Sequence, residues 1–183
     1  TQMQLRKYKF NFSKINHIFI SHIHGDHIFG LPGLLSTMQL LGRKNDLHIY
    51  GPSELEAFLE LFAGKSDYSN NFKIILHKTG HKRKNLIFSN NSLEVWSIPL
   101  KHRVLTTGFL FKEKSMGLNL KKDAVIKYKP GIEQMAKIIL GENLELEDGS
   151  IIPNEKLTLA PWKRRSYAYI SDTKHDPSIA EQI

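Results

Sequence analysis

One short segment restricts the fold and chemistry of this chain more than any other: residues 22–27 read His-Ile-His-Gly-Asp-His. It directly follows Ile15 to Ser21, a run of β-branched and aromatic residues that predicts a buried strand. In an extended exit from this strand, His22 and His24 point to the same side. Both imidazoles can therefore bind one cation.

The second half of this motif follows a glycine. Positive φ is open to Gly25, so the sequence predicts a sharp turn that lets Asp26 and His27 face a second cation position. Chance placement is the alternative, but it is the usual explanation of a lone histidine rather than of four ligand-type side chains in six positions. The segment predicts a metal site with room for two ions.

Two later strands also end beside a possible ligand. Leu93 to Ile98 alternates as a half-buried strand does and leads to His102, after which Thr107 to Phe111 resumes extended structure. Tyr167 to Ile170 is a short aromatic strand, and Asp172 follows it. Alone, Asp172 is equally compatible with a turn or a helix cap. Its equivalent position at a strand end favours an oxygen ligand.

Two amphipathic helices are predicted between these strands. The first has Pro32 near its start and ends at Gly42, and the second runs from Glu54 to Ala63 with a Ser53-x-x-Glu56 capping box and a stop at Gly64. Their apolar stripes are Leu31, Leu34, Leu35, Met38 and Leu41 in the first, and Leu55, Phe58, Leu59 and Phe62 in the second. Asp176-Pro177 predicts the start of a further helix.

An insertion of different character lies between Phe111 and Tyr167. Its segment LELEDGSII predicts a hairpin with a type I′ turn at Asp148-Gly149. A short amphipathic helix precedes the hairpin, with apolar positions at Ile132, Met135, Ala136, Ile139 and Leu140. Neither piece is expected to form a core of its own.

The composition agrees with one soluble domain, and the net charge suits a polyanionic partner, although many small basic proteins bind nothing anionic. The 183 residues are 40% hydrophobic, carry a net charge of +8, and contain neither a membrane-length apolar run nor a signal-type segment. Cysteine is absent, so any zinc must use His and Asp, a donor set typical of open catalytic sites. Two basic clusters, otherwise interpretable as solvated faces, are candidate phosphate contacts: Lys121, Lys122, Lys127 and Lys129, and Lys163, Arg164 and Arg165.

The motifs as a set resemble a known family. His-x-His-x-Asp-His is the signature of the metallo-β-lactamase fold, and TQMQL, ISHIHGDHIFGLPGLL, PLKHRVLTTGFLF and YAYISDT look like ribonuclease Z, the tRNA 3′-processing endonuclease. The resemblance implies an α+β, αβ/βα sandwich. It also implies that His22, His24 and His102 bind one zinc ion, that Asp26 and His27 bind a second, and that Asp172 bridges both. Asp26 would in addition transfer a proton.

The same resemblance implies a function. The protein would remove the 3′ trailer from precursor tRNA, leaving a tRNA 3′-hydroxyl and a trailer 5′-phosphate, as a cytoplasmic homodimer. Residues 116–160 would be an arm that grips the tRNA. Two alternatives stay open: another hydrolase of this fold acting on a small phosphodiester, thioester or lactam, or a non-catalytic RNA-binding module.

The chain also departs from the family pattern. The family's short acidic motif before Thr1 is absent, and two downstream histidines, one a zinc ligand and one assisting protonation, have no counterpart before Ile183. His175 lies too close to Asp172 to replace either. We therefore expect these 183 residues to be a fragment of a longer protein, with an incomplete second zinc site.

Overall fold

The computed structural model describes residues 1–63, 72–80, 82–115 and 117–183. They form two compact units. The first unit comprises Thr1–Phe88, Val95–Phe111 and Tyr167–Ile183, and the second comprises Ser89–Glu94 and Lys112–Ser166. Gly64, the predicted stop of the second helix, lies outside the described residues.

The elements follow one another along the chain as a mixture of helices and strands. The helices are α1 (Gln2–Lys7), α2 (Gly25–Ile28), α3 (Gly30–Leu40), α4 (Leu55–Ala63), α5 (Lys122–Tyr128), α6 (Ile132–Ile139), α7 (Asn154–Leu157) and α8 (Ser178–Gln182). The strands are β1 (His17–Phe19), β2 (Leu47–Gly51), β3 (Ile74–Lys78), β4 (Asn85–Ser89), β5 (Leu93–Leu100), β6 (Thr106–Glu113), β7 (Asn119–Leu120), β8 (Leu144–Glu145), β9 (Ile151–Ile152), β10 (Thr158–Leu159) and β11 (Ser166–Tyr169).

The strands that lead to the candidate ligands fall into two sheets. Strands β1, β2 and β3 are parallel and adjacent in that order, whereas the other sheet has the order β11-β6-β5-β4. The strands predicted to begin at Leu93, Thr107 and Tyr167 are confirmed as β5, β6 and β11, to within two residues at each end. The strand predicted from Ile15 to Ser21 is shorter than expected, since β1 covers only His17–Phe19.

One face of the parallel sheet packs against helices α3 and α4. Alternation along β2 sends Leu47 and Ile49 to this face, where both are fully buried. The helices contribute Leu31, Leu34, Leu35, Met38, Leu55 and Leu59 to the same cluster. The predicted stripes are confirmed at these positions but are wrong at their ends, since Leu41 and Phe62 are exposed.

The start of α4 is not the predicted capping box. The Ser53 hydroxyl donates to the Glu54 carboxylate at 3.0 Å, and the Glu56 carboxylate instead pairs with Lys78 Nζ at 2.7 Å. The predicted end of α3 is confirmed, since Gly42 has φ +73°. The predicted start of α8 is also confirmed, because Asp176 Oδ1 accepts hydrogen bonds from the Ser178 backbone N–H and hydroxyl. No helix in the described ranges is both long and apolar enough to cross a bilayer.

The other face of the parallel sheet carries stacked aromatic rings. His17 and His48 are register partners with ring centroids 5.1 Å apart, and His48 Nδ1 lies 2.9 Å from His77 Nε2. His77 also stacks on Tyr50 at 4.4 Å. Burial lowers the pKa of both His17 and His77 below the ordinary 6.5, and the neighbouring imidazoles lower it further.

This ring stack predicts that the free energy of unfolding decreases at acid pH. Because the folded pKa values of His17 and His77 are depressed, the unfolded chain binds more protons below pH 6.5, so stability is lost as pH falls through that region. We expect His17→Phe to flatten this loss, measured by urea unfolding at about pH 7.5 and about pH 5.5. The exposed His175→Phe is the matched control. Equal pH dependence in the parent and His17→Phe would contradict the prediction.

The second unit has a small core of its own, contrary to the expectation from sequence. Four buried side chains from α5, α6, β8 and α7 meet there: Ala124, Ile138, Leu144 and Leu157. The predicted helix is confirmed as α6, but its apolar stripe is wrong in part: Ile138 is buried, Met135 and Ile139 are half-buried, and Ile132, Ala136 and Leu140 are exposed. The hairpin of β8 and β9 is confirmed as antiparallel. Its turn is not type I′, since only Gly149, and not Asp148, has positive φ.

Candidate metal centre

The first two motif histidines leave the end of β1 in extended backbone. The Ile20 N–H donates to the Tyr50 carbonyl at 2.8 Å, and the Ser21 carbonyl accepts from the Thr107 N–H at 2.9 Å. These bonds fix the exit of the strand. The His22 side chain is fully buried, and His24, with φ −64° and ψ 146°, is the residue that precedes helix α2.

Gly25 acts differently from the prediction. It does not adopt positive φ but begins α2, whose first turn carries Asp26 and His27. A Cβ at this position would meet the exposed ring of Phe29, so a larger residue would require that ring to move. The change of direction predicted after His24 is thus made by a helix start.

His102 and Asp172 reach the same place from the other sheet. They follow β5 and β11, which flank β6 on either side. The two connecting segments are bonded to each other, because the Lys174 N–H donates to the Lys101 carbonyl at 2.7 Å and the Lys101 N–H donates to the Thr173 hydroxyl at 3.2 Å. This pairing holds the imidazole and the carboxylate side by side.

Four predicted ligands converge on one point. His22, His24, His102 and Asp172 each offer a ligand atom, and these atoms all lie within 4.8 Å of one another. His22 Nε2 is 3.1 Å from His24 Nδ1 and 3.7 Å from Asp172 Oδ2. Three nitrogens and one carboxylate oxygen form a donor set suited to zinc.

The other predicted ligands lie next to this group. His27 Nε2 is 3.4 Å from Asp26 Oδ2 and 4.0 Å from Asp172 Oδ2. The His102 Nε2 atom is 4.0 Å from the same Asp172 oxygen. Asp172 therefore faces both groups, as a shared ligand would. Asp26 is the most open of the set, with its side chain 79% exposed.

The electrostatics of the site fit a cation. Burial lowers the pKa of His22 below 6.5, and His27 and His24 lower it further while Asp172 opposes them. The ring is therefore neutral at pH 7 and has a lone pair to donate. His102 Nε2 is buried and, among the described residues, has no hydrogen-bond partner, although such atoms are costly to leave unsatisfied. A bound cation would satisfy it.

Ser21 is a site residue that the sequence reasoning missed. Its buried hydroxyl oxygen lies 3.1 Å from His22 Nδ1 and 3.4 Å from His27 Nδ1. A hydroxyl oxygen has two lone pairs, so it can accept from both rings when their Nε2 atoms are the ligands. The sequence feature that could have indicated this role is a small polar residue, Ser21, at the C-terminal end of an otherwise apolar predicted strand. Ser21 would thus fix the tautomers of two ligands.

Ser21→Ala should weaken metal binding without removing a ligand. Both Nδ1–H groups would lose their acceptor, and losses of this kind cost about 10- to 100-fold in metal affinity. Zinc titration calorimetry of the parent and the variant measures the change. Ser97→Ala is the matched control, because Ser97 is equally buried but its hydroxyl donates to the Asn85 carbonyl. Unchanged affinity in Ser21→Ala would leave Ser21 with a packing role only.

The two basic clusters differ in how their charges are compensated. Arg165 is tied to Glu113 by side-chain hydrogen bonds, including Nε to Oε1 at 2.9 Å, so its predicted phosphate contact is already satisfied within the protein. Lys121 Nζ donates to the Glu155 carbonyl at 2.6 Å, which leaves its charge unneutralised. Lys121, Lys122 and Lys127 line one concavity of about 500 Å³ together with Lys156.

Comparison with known proteins places the chain in a family. Residues 1–129 match the family model described as anti-Pycsar protein Apyc1. The chain is 44% identical over 185 residues to a protein named Ribonuclease Z from Bacteroides thetaiotaomicron and 42% identical over 182 residues to one from Phocaeicola vulgatus. These alignments cover 100% of this chain but 58% and 59% of the relatives. The chain thus spans less than two thirds of their length.

A solved structure agrees with the sequence relatives. Human tRNase Z, short form, is 32% identical with a TM-score of 0.53, over 62% of this chain and 49% of that chain. With the ligand cluster at the strand ends, this similarity makes the chain a member of the metallo-β-lactamase superfamily, and the predicted α+β fold is confirmed. Within that class, the chain is similar along its whole length to proteins named Ribonuclease Z, the family that its motifs resemble. Residues 1–129 also place it in the family that the Apyc1 model describes.

Proposed function

We propose that the complete protein is a zinc-dependent endoribonuclease that removes the 3′ trailer from precursor tRNA. The products would be a tRNA with a 3′-hydroxyl and a trailer with a 5′-phosphate. The observation that carries the proposal is the convergence of His22, His24, His102 and Asp172 in a chain that aligns along its whole length with proteins named Ribonuclease Z. We further propose that it acts in the cytoplasm as a homodimer.

Each residue of the site has a separate part in this proposal. His22, His24 and His102 would hold one cation, Asp26 and His27 the other, and Asp172 both. The cations would supply charge stabilisation for the scissile phosphate and a water of lowered pKa. Asp26, open to solvent beside His27, would take up a proton at Oδ2 from the attacking water and return it to the leaving oxygen.

The direct test is cleavage of a precursor tRNA by the complete protein. A labelled transcript with a 3′ trailer should be cut once, and end analysis should find a hydroxyl on the tRNA and a phosphate on the trailer. Chelation should abolish the cleavage, and zinc should restore it. Intact substrate with the zinc-loaded protein would overturn the proposal. Sedimentation of the complete protein tests the dimer separately.

A second candidate is a hydrolase of a small phosphodiester. The ligand cluster is equally compatible with it, because the His-x-His-x-Asp-His motif is common to the hydrolases of this fold. The +8 charge and the basic concavity of the second unit favour RNA instead. Comparing kcat/KM for precursor tRNA with that for a small chromogenic phosphodiester separates the two.

The lysines of the second unit provide a further prediction. We propose that residues 116–160 act as an arm that binds tRNA, so these lysines supply binding energy away from the scissile bond. Replacing Lys121, Lys122, Lys127 and Lys129 with alanine in the complete protein should weaken precursor tRNA binding and lower the salt slope by about one per lost phosphate contact. Filter binding at several salt concentrations measures both, and hydrolysis of a small phosphodiester should hardly change.

The matched control for that variant removes four exposed lysines of the first unit, Lys7, Lys9, Lys14 and Lys73. Lys9 has positive φ, as Lys129 does, so the backbone strain of the two sets is comparable. Equal losses on tRNA and on the small substrate would mean that the segment shapes the active site. No loss on either would mean that the lysines form only a solvated face.

A further inference from the structure

The second unit contains a groove that the proposed chemistry does not use. Its volume is about 1050 Å³, close to the upper end for ligand pockets. Trp162 lines it, with 84% of its surface exposed. Within the described ranges, no other aromatic ring stacks on this indole. A large flat apolar ring is therefore presented to solvent inside a concave surface.

The groove is strongly cationic around this ring. Lys114, Lys163, Arg164 and Arg165 line it, against the single carboxylate of Glu113. Arg165 is paired with Glu113, and Lys114 Nζ donates to the Ser89 hydroxyl at 2.6 Å and lies 3.8 Å from Glu94. Lys163 and Arg164, which directly follow the indole in sequence, form no ion pair with any described residue. Their charges remain available to an anion.

The segment that carries these groups is held in place at one end. The Glu113 N–H donates to the Arg165 carbonyl at 3.0 Å, and the Arg165 N–H donates back to Glu113 Oε2 at 2.9 Å. The guanidinium adds its own bonds to Oε1. Anchoring of this kind reduces the conformational entropy that a ligand has to offset on binding.

We propose that this groove binds an unpaired nucleotide of RNA, with the base stacked on Trp162 and the adjacent phosphate held by Lys163 and Arg164. An aromatic platform beside free cations is the combination by which proteins bind single strands, because every base has a π-face and every linkage has a charge. A duplex offers only the charge. The uncovered cations argue against an apolar protein partner. The inference rests on the proposed RNA substrate. It adds that Trp162 contacts this RNA and that the nucleotide bound there is unpaired.

The test compares two RNA probes on the complete protein. For a labelled oligoadenylate of about ten nucleotides, Trp162→Ala should raise Kd by about 5- to 150-fold, the range expected for one lost base stack. Trp162→Phe should retain most of the affinity. For a fully paired RNA duplex of equal length, Trp162→Ala should change Kd less than about two-fold. Lys163→Ala with Arg164→Ala should lower the oligoadenylate salt slope by about 0.7 per lost contact.

Tyr8→Ala is the matched control, because Tyr8 is another exposed ring beside a lysine, with Lys7 Nζ 5.7 Å from its centroid. Equal losses in Tyr8→Ala and Trp162→Ala, or equal losses on both probes, would overturn the inference, as would an unchanged oligoadenylate Kd. Cleavage of precursor tRNA by the parent is measured alongside. Trp162-dependent oligoadenylate binding without that cleavage would support the groove while the proposed function fails.

Discussion

Asp26→Ala in the complete protein should lower the rate of precursor tRNA cleavage by at least about 10²- to 10⁴-fold, the usual contribution of a general acid or base. Asp26 is expected both to hold a cation and to move a proton, so the loss should reach the upper part of this range. Because its side chain is 79% exposed, the thermal unfolding midpoint of the metal-free protein should hardly move. Single-turnover kinetics and thermal denaturation measure the two effects.

Glu181→Ala is the control for removing an exposed carboxylate from the first turn of another helix of the first unit. It should leave cleavage unchanged. Substantial turnover by Asp26→Ala would remove Asp26 from the catalytic part assigned to it. A large drop in the unfolding midpoint would instead mean that the aspartate supports the fold, so the two measurements together separate chemistry from stability.

The 183-residue chain should bind one zinc ion more tightly than a second. Three nitrogens and the Asp172 oxygen converge at the first position, whereas the second has only Asp26, His27 and the shared Asp172. His102→Ala should lower the affinity of the tight site by more than the roughly 10- to 100-fold that loss of an outer partner costs, because it removes a ligand itself. Calorimetric titration gives both affinities.

His175→Ala provides the comparison, since it removes an exposed histidine from the segment that carries Asp172. Its titration should match that of the parent. Two equally tight sites in the parent would show that the second position needs no further histidine. An unchanged tight site in His102→Ala would exclude this imidazole from the coordination sphere, whatever its distance from His22.

The sequence predicted which ligands would cluster because local pattern and ligand chemistry coincide at the ends of strands. His102 and Asp172 each follow a short run of alternating or aromatic residues, and strand ends of this kind meet at one edge of a sheet. The sequence did not predict the helix start at Gly25, because a glycine after an extended residue is compatible with both a positive-φ turn and the first residue of a helix. Ser21 was missed for a different reason, since its role depends on two rings that fold back over it.

The errors in the second unit have a different physical origin. Helix α6 has apolar residues on more than one face, so periodicity alone does not say which face turns inward. Leu144 and Leu157, from separate later segments, meet Ile138 and settle the choice. The pairing of Arg165 with Glu113 likewise joins residues that are distant along the chain, and no local pattern indicates it. Tertiary contacts override propensity in both cases.

The assembly of the centre from two sheets has a consequence for the order in which the protein matures. His22 and His24 are synthesised before Asp172, the carboxylate that faces both candidate positions, which follows His22 by about 150 residues. N-terminal segments begin to fold first, so the imidazole cluster exists for a time without its acidic counterpart. An ion captured once Asp172 has been made would close the long loop between residues 22 and 172, and closing a long loop removes more entropy from the unfolded chain than closing a short one. Metal supply would then act on the lifetime of the newly made protein as well as on its chemistry.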